Sequence, residues 1–238
     1  DGTARRDVVE AGIQALKALY HRGAVDADGK TGDGAGIHIQ IPHAFFRRHL
    51  QSVGRSTIDG RLGVGMIFLP RRNFAAQEEC RAIVETEVLR MGWRIQGWRQ
   101  VPVHSDIIGE VANDSRPEIE QILLSSKPGI AESECERQLY IIRKRIEKIV
   151  RQRAINHFYI CSLSTRSLIY KGLFKAEQLT EFYPDLQDSL FTSAFAIFHQ
   201  RFSTNTAPAW HLAQPFRMLA HNGEINTLRG NSNFMKSH

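Results

Sequence analysis

The chain has 238 residues, 42% of them hydrophobic, enough to bury a core and to exclude a disordered polypeptide. No window approaches about 18 consecutive apolar residues, and the polar start at residues 1–7 lacks a signal peptide's apolar core, so neither a membrane span nor a secretory leader is expected. A net charge of +6 and a pI of about 9.4 raise the question of nucleic acid, which the placement of the charge answers.

Val8, Val9, Ile13, Leu16 and Leu19 recur at helical spacing, so residues 5–20 form a helix that Gly23 can end. Residues 23–36 hold five glycines and three aspartates (Asp26, Asp28, Asp33) and read as loop. Residues 37–41 alternate apolar and polar, a strand with one buried face that Pro42 closes. A short helix over 43–50 and an apolar strand over 62–69, ended by Pro70, come next. A second long helix is expected over 75–91, with Ile83, Val84, Val88 and Met91 in register. Residues 93–103 look extended, and 117–124 fit a short helix or a strand equally.

The basic residues cluster over 132–152, at Arg143, Lys144, Arg145, Lys148 and Arg151, among Leu139, Ile142, Ile146 and Ile149 at helical spacing. This is an amphipathic helix with a basic outer face, solvated or partner-facing. No aromatic platform for stacking bases accompanies it, so no nucleic-acid surface is expected. Residues 158–162 and 167–170 look like paired strands, with Thr165 and Arg166 near the turn. Two further apolar strands are expected over 195–202 and 216–221, and Asn226 can cap a last helix. Without a repeat or linker, residues 1–238 read as one compact domain of mixed helices and strands.

Cys80, Cys135 and Cys161 are odd in number and widely spaced, which argues against a disulfide framework and fits a reducing cytoplasm. No CxxC or HExxH occurs, so no metal site is recognisable, and a buried core role is expected for each thiol.

Three clusters could carry chemistry. The run Gly29-Lys30-Thr31-Gly32-Asp33-Gly34-Ala35-Gly36 invites a phosphate-loop reading but has Ala24 where that motif needs its first glycine. It also follows a helix and precedes a strand, the reverse of the required order. At the end of an apolar strand, Arg201 with Ser203, Thr204 and Asn205 suits an α-carboxylate, which Arg binds through two parallel hydrogen bonds. An Arg paired with a surface carboxylate fits the residues equally. Asn222-Gly223, after another apolar strand, can aim a side-chain amide and a backbone N–H at one developing oxyanion. An Asn-Gly turn is the alternative.

Taken in order, Arg22-Gly23, Asp33-Gly34-Ala35-Gly36, Arg201 with Thr204, and Asn222-Gly223 resemble the class II (N-terminal nucleophile) glutamine amidotransferases. The runs 21–28, 197–206 and 214–227 and the long stretch between them resemble the version found in glutamate synthases, over essentially the whole chain. The resemblance implies an α+β fold, the four-layer αββα sandwich of N-terminal nucleophile hydrolases. It implies hydrolysis of L-glutamine to glutamate and ammonia by an N-terminal cysteine, the ammonia serving reductive glutamate synthesis from 2-oxoglutarate. Asn222 and Gly223 would form the oxyanion hole, Arg201 and Thr204 would hold the substrate's carboxylate end, and Arg22 would support the nucleophile region. The implied partners are L-glutamine, the flavin (synthase) domains of the same polypeptide and a small NADPH-oxidising subunit, in the cytoplasm, with no nucleic acid and no membrane. No cofactor is implied in this segment, FMN and an iron–sulfur cluster being expected in the rest of the protein. Asp1-Gly2-Thr3 contains no cysteine, and the nucleophile is expected about ten residues upstream of Asp1. The domain is thus expected to be truncated at both ends and this chain to be inactive as written. The alternative is a non-catalytic module that keeps the fold for binding or regulation.

Overall fold

The computed structural model describes residues 2–55, 58–200, 208–218 and 228–237. In chain order its elements are α1 (Arg6–Ala18), β1 (Ala35–Gln40), α2 (His43–Ser52), β2 (Leu62–Leu69), α3 (Phe74–Arg90), β3 (Arg94–Gln100) and α4 (Glu110–Asp114). Then come β4 (Glu118–Ser125), α5 (Glu132–Gln152), β5 (Tyr159–Ser164), β6 (Ser167–Gly172), α6 (Leu179–Phe182), β7 (Ala196–Gln200) and α7 (Leu228–Ser237). The strands make two antiparallel sheets, ordered β6-β1-β7 and β3-β4-β2-β5. The chain is therefore α+β, as expected.

Strand periodicity divides the core. Along β2, Val64, Met66 and Phe68 join a cluster with Ile37 and Ile39 of β1 and Val9, Ile13 and Leu16 of α1. Ile67 and Leu69 of β2 join Ile122 and Leu124 of β4 in a second cluster with Cys80, Val84 and Val88 of α3 and Leu139, Ile142 and Ile146 of α5. Buried on both faces, β2 carries the unbroken apolar run seen in its sequence. Helix α5 spans the expected residues and buries its apolar stripe, while α3 starts at an Asn73 side chain that accepts from the Ala76 N–H at 3.0 Å. All three cysteines are free and buried, as expected.

The strand at 118–125 settles the ambiguous segment. Glu120 and Gln121 of this strand are buried and paired. Glu120 accepts from Arg81 Nε at 2.9 Å, and Gln121 donates to the Tyr170 hydroxyl at 2.9 Å. Tyr170 in turn donates to Asp185 at 2.9 Å, and Arg99 grips Asp185 through two bonds of 2.6 and 2.7 Å. This buried network ties the two sheets together, each charge having a partner.

Two expectations need correction. β5 and β6 are not a paired hairpin: β5 pairs with β2, β6 pairs with β1, and the strands belong to different sheets. The reason lies at their junction, where Glu136 of α5 accepts from the Thr165 N–H and hydroxyl at 2.6 Å each and from the Ser164 hydroxyl at 2.9 Å. Held there, the chain steps from one sheet to the other. Nor is the start of the expected 216–221 strand extended ladder, since residues 216–218 pair with no strand. Phe216 instead lies against the ammonium of Lys171. Residues 219–221 of that segment, the end of the expected 195–202 strand and the Asn226 cap lie outside the described residues.

Candidate functional site: the glycine-rich end of the small sheet

A short turn, Tyr20–Arg22, follows α1, with the Gly23 N–H donating to the Tyr20 carbonyl at 3.1 Å. It brings Gly23 against the last residue of β7. A Cβ at Gly23 would lie 2.2 Å from Nε2 of Gln200, which donates to the Tyr20 carbonyl at 3.3 Å. A side chain there would push the Gln200 amide off this carbonyl. Arg22 is exposed beside this contact.

The next loop is more ordered than its composition suggests. Val25 and Gly32 bridge, and the Asp33 N–H donates to the Ala24 carbonyl at 3.1 Å. Asp28 accepts from the Thr31 hydroxyl at 2.5 Å and from the N–H groups of Thr31 and Lys30 at 2.7 and 2.9 Å. These bonds, the Thr31 hydroxyl first, hold the Asp28 carboxyl down at about 2. The backbone donors that a phosphate would need are thus already bound to a carboxylate of the same loop, in accord with the failed phosphate motif.

At the start of β1, Ala35 pairs with Gly172 on one side and Gln200 on the other, and Gly36 with Lys171 and His199. A strap, residues 209–217, lies across this end. A Cβ on Gly36 would sit 2.6 Å from the Gln214 carbonyl oxygen and 2.8 Å from that of Tyr170, so the strap's approach requires glycine there. Trp210 Nε1 donates to the Ala112 carbonyl at 2.9 Å. The ammonium of Lys171 donates to the carbonyls of His211 and Ala213 at 2.9 and 2.7 Å and lies 4.6 and 4.9 Å from the ring centres of Tyr159 and Phe216. Arg217 donates to the carbonyls of Ile160 and Cys161.

Lys171 is 1% exposed, and burial brings its ammonium down to about 8, with smaller opposite influences from Cys161 and Arg217. Burial pushes the Cys161 thiol up to about 12 and the Cys80 thiol up to about 11. Neither forms a thiolate near neutral pH, so neither is set up as a nucleophile.

Of the residues selected from sequence, Arg22 is the one described. Arg201, Thr204, Asn222 and Gly223 lie outside the described residues. Of the described residues that precede them, Gln200 ends β7 beside Ala35, and the strap passes Gly36 and Lys171 before Phe216, Arg217 and Met218 reach a cavity shared with His38 and Ser167. Sequence reading missed Lys171, one residue beyond an expected strand and without any motif around it. A cavity of about 510 Å³ lies farther along the sheet, among His38, Tyr159, Ser167, Ile169, Phe216 and Arg217. A larger hollow of about 690 Å³ lies among His43, Arg47, Arg55 and Arg61, and none of the selected residues lines it. Among the described residues no group of His, Cys, Asp and Glu could hold a metal ion, and no helix is long and apolar enough to cross a membrane.

Known proteins resemble the chain along its whole length. The sequence profile of the class-II glutamine amidotransferases matches residues 1–238. The chain is 64% identical over 238 residues to the NADPH glutamate synthase large chain of Azospirillum brasilense, covering 100% of this chain and 16% of that protein. It is 45% identical over 235 residues to ferredoxin-dependent glutamate synthase 2 of Synechocystis sp., covering 98% of this chain and 15% of that one. It is 42% identical over 240 residues to the NADPH glutamate synthase large chain of Bacillus subtilis, covering 99% and 15%. The chain thus spans about 15–16% of the length of these curated relatives. With its profile matched from end to end, the chain belongs to the class-II glutamine amidotransferases.

Proposed function

We propose that this chain is the glutamine-hydrolysing part of a glutamate synthase. The observation that carries the reading is the 64% identity to a glutamate synthase large chain over all 238 residues. The same match favours an enzyme over a non-catalytic binding module. In the reaction a cysteine thiolate attacks the side-chain amide carbon of L-glutamine, and the carbonyl oxygen takes the charge. Asn222 and Gly223 donate to that oxyanion, ammonia leaves with a proton, and water hydrolyses the thioester to glutamate. Arg201 and Thr204 hold the carboxylate end of the substrate, and Arg22 supports the nucleophile's surroundings. The three cysteines of this chain are buried core thiols, so the nucleophile comes from a part of the protein outside this span. By itself the 238-residue chain then releases no ammonia from glutamine.

The two sheets and their helices fit a four-layer αββα sandwich, a reading supported by the odd–even division of β2 and β4 between two cores. We read residues 1–238 as one part-domain of that sandwich. Ammonia would pass to synthase domains of the same polypeptide, where FMN and an iron–sulfur cluster, when bound, would carry the electrons for glutamate formation from 2-oxoglutarate. A small NADPH-oxidising subunit is the matching electron donor, and the free thiols fit a cytoplasmic setting. Among the described residues, Cys80 and Cys135 belong to one core cluster and Cys161 to the other.

The test uses the full-length protein with Arg201→Lys. A lysine cannot reproduce the planar two-donor fork, so KM for glutamine should rise about tenfold or more while ammonia-dependent glutamate formation stays unchanged. An unchanged KM and kcat with glutamine would remove Arg201 from the substrate site.

A further inference from the structure

Lys171 occupies an unusual position. Its ammonium is buried, and among the described residues no carboxylate pairs with it. A methionine or leucine would fill the same space without the cost of desolvating a charge. What a charge supplies here is donors. The strap's own N–H groups at Leu212 and Ala213 both turn back to the Ala209 carbonyl, at 2.9 and 3.1 Å. The carbonyls of His211 and Ala213 point to Lys171 instead, and its two bonds close the turn from below. The rings of Tyr159 and Phe216 flank the same ammonium, so one side chain touches both ends of the strap.

Register gives this contact its reach. Lys171 pairs with Gly36, and Gly36 pairs with His199, so one cross-strand row joins Lys171 to the end of β7. In sequence, Asn222 and Gly223 follow the strap, and Arg201 follows β7. We infer that Lys171 is a positioning residue for the glutamine site, clamping the 209–217 strap to β6 and so fixing where the chain enters the oxyanion donors. The inference rests on the proposed function and deepens it. Lys171 touches no substrate and acts through the strap.

The experiment uses the full-length protein and four forms: wild type, Lys171→Met, Lys171→Gln and Asn222→Ala. Glutamine-dependent and ammonia-dependent glutamate formation are measured for each, with amide exchange of peptides covering 209–217. For Lys171→Met the glutamine-dependent kcat should fall about tenfold or more, with KM changed less than about threefold and the ammonia-dependent rate within about twofold. Strap amides should exchange about tenfold faster while the rest of the domain keeps its protection. Lys171→Gln, which keeps a neutral donor, should recover part of both losses and serves if the methionine variant fails to fold. A parallel fall of both activities, or a full glutamine rate in either Lys171 variant, overturns the positioning role. If Asn222→Ala alone abolishes glutamine use, the inference fails and the glutaminase reading stands. If wild type itself uses only ammonia, the glutaminase reading fails and the inference with it.

Discussion

In the β3-β4-β2-β5 sheet, side chains face two helices and a core, and pairing follows hydrophobic pattern. In the β6-β1-β7 sheet, the informative contacts involve the backbone: Gly36 under Gln214, Gly23 against Gln200, and Lys171 reaching two carbonyls. The first is built by volume and so resists change through packing. The second is built by close approach and so aims the segments that leave it. A substitution in the first should change stability with little effect on chemistry per folded molecule, and one in the second should do the reverse.

The largest stability effect is expected at the seam between the sheets. Asp185→Ala leaves the buried Arg99 guanidinium without its carboxylate and should cost about 3–5 kcal/mol in denaturant unfolding. Turnover with glutamine, per folded molecule, should stay near normal. A specific loss of glutamine turnover without loss of stability would break the division between the two regions.

Gly36→Ala should act the other way. The added methyl would meet backbone oxygens of Gln214 and Tyr170 at 2.6 and 2.8 Å, and the strap, which belongs to no sheet, is the side expected to shift. About 1–3 kcal/mol of stability is expected to go, as for overpacking elsewhere. Glutamine-dependent kcat should drop about tenfold or more, because a displaced strap would misaim the proposed oxyanion donors, Asn222 and Gly223. A variant with wild-type glutamine kinetics would show that the strap's height does not matter.

The smallest effect sharpens the account of the loop. Asp28 is exposed, and its carboxyl is lowered from an ordinary 3.8 to about 2 chiefly by the Thr31 hydroxyl. A depressed carboxyl stabilises the fold fully above its unfolded value and loses that contribution as pH falls through its folded value. The Tm difference between wild type and Asp28→Asn should therefore shrink between about pH 4 and pH 2. A difference independent of pH in that window would show that the loop's hydrogen bonds do not depend on the ionised carboxylate.

How much of the molecule is legible in its sequence depends on the kind of contact. α5 and β2 can be read nearly to the residue because Leu139, Ile142 and Ile146 on one, and an unbroken apolar run on the other, report packing directly. β4 stays ambiguous because Glu118, Glu120 and Gln121 look exposed until Arg81 and Tyr170 are seen to partner two of them. The β5–β6 junction misleads because a short gap between two apolar runs resembles a hairpin turn, and Glu136, far off in sequence, redirects the chain. The five-residue α4 is too short for periodicity to reveal. Within the candidate site, Arg22 and the glycine run stand out by motif. Lys171 does not, since nothing local distinguishes a buried lysine that donates to carbonyls 40 and 42 residues later from a solvated one.

The most direct test of the central claim is the ratio of glutamine-dependent to ammonia-dependent glutamate formation in full-length protein carrying Asn222→Ala, with Tm measured on the same samples. Oxyanion donors act in the transition state, so the glutamine-dependent kcat should fall about 100-fold or more with little change in KM. The ammonia-dependent rate and Tm should hold, because that route bypasses glutamine hydrolysis. A lowered Tm with near-normal glutamine turnover per folded molecule would make Asn222-Gly223 a structural turn and contradict the assignment of the glutamine site to this end of the sheet.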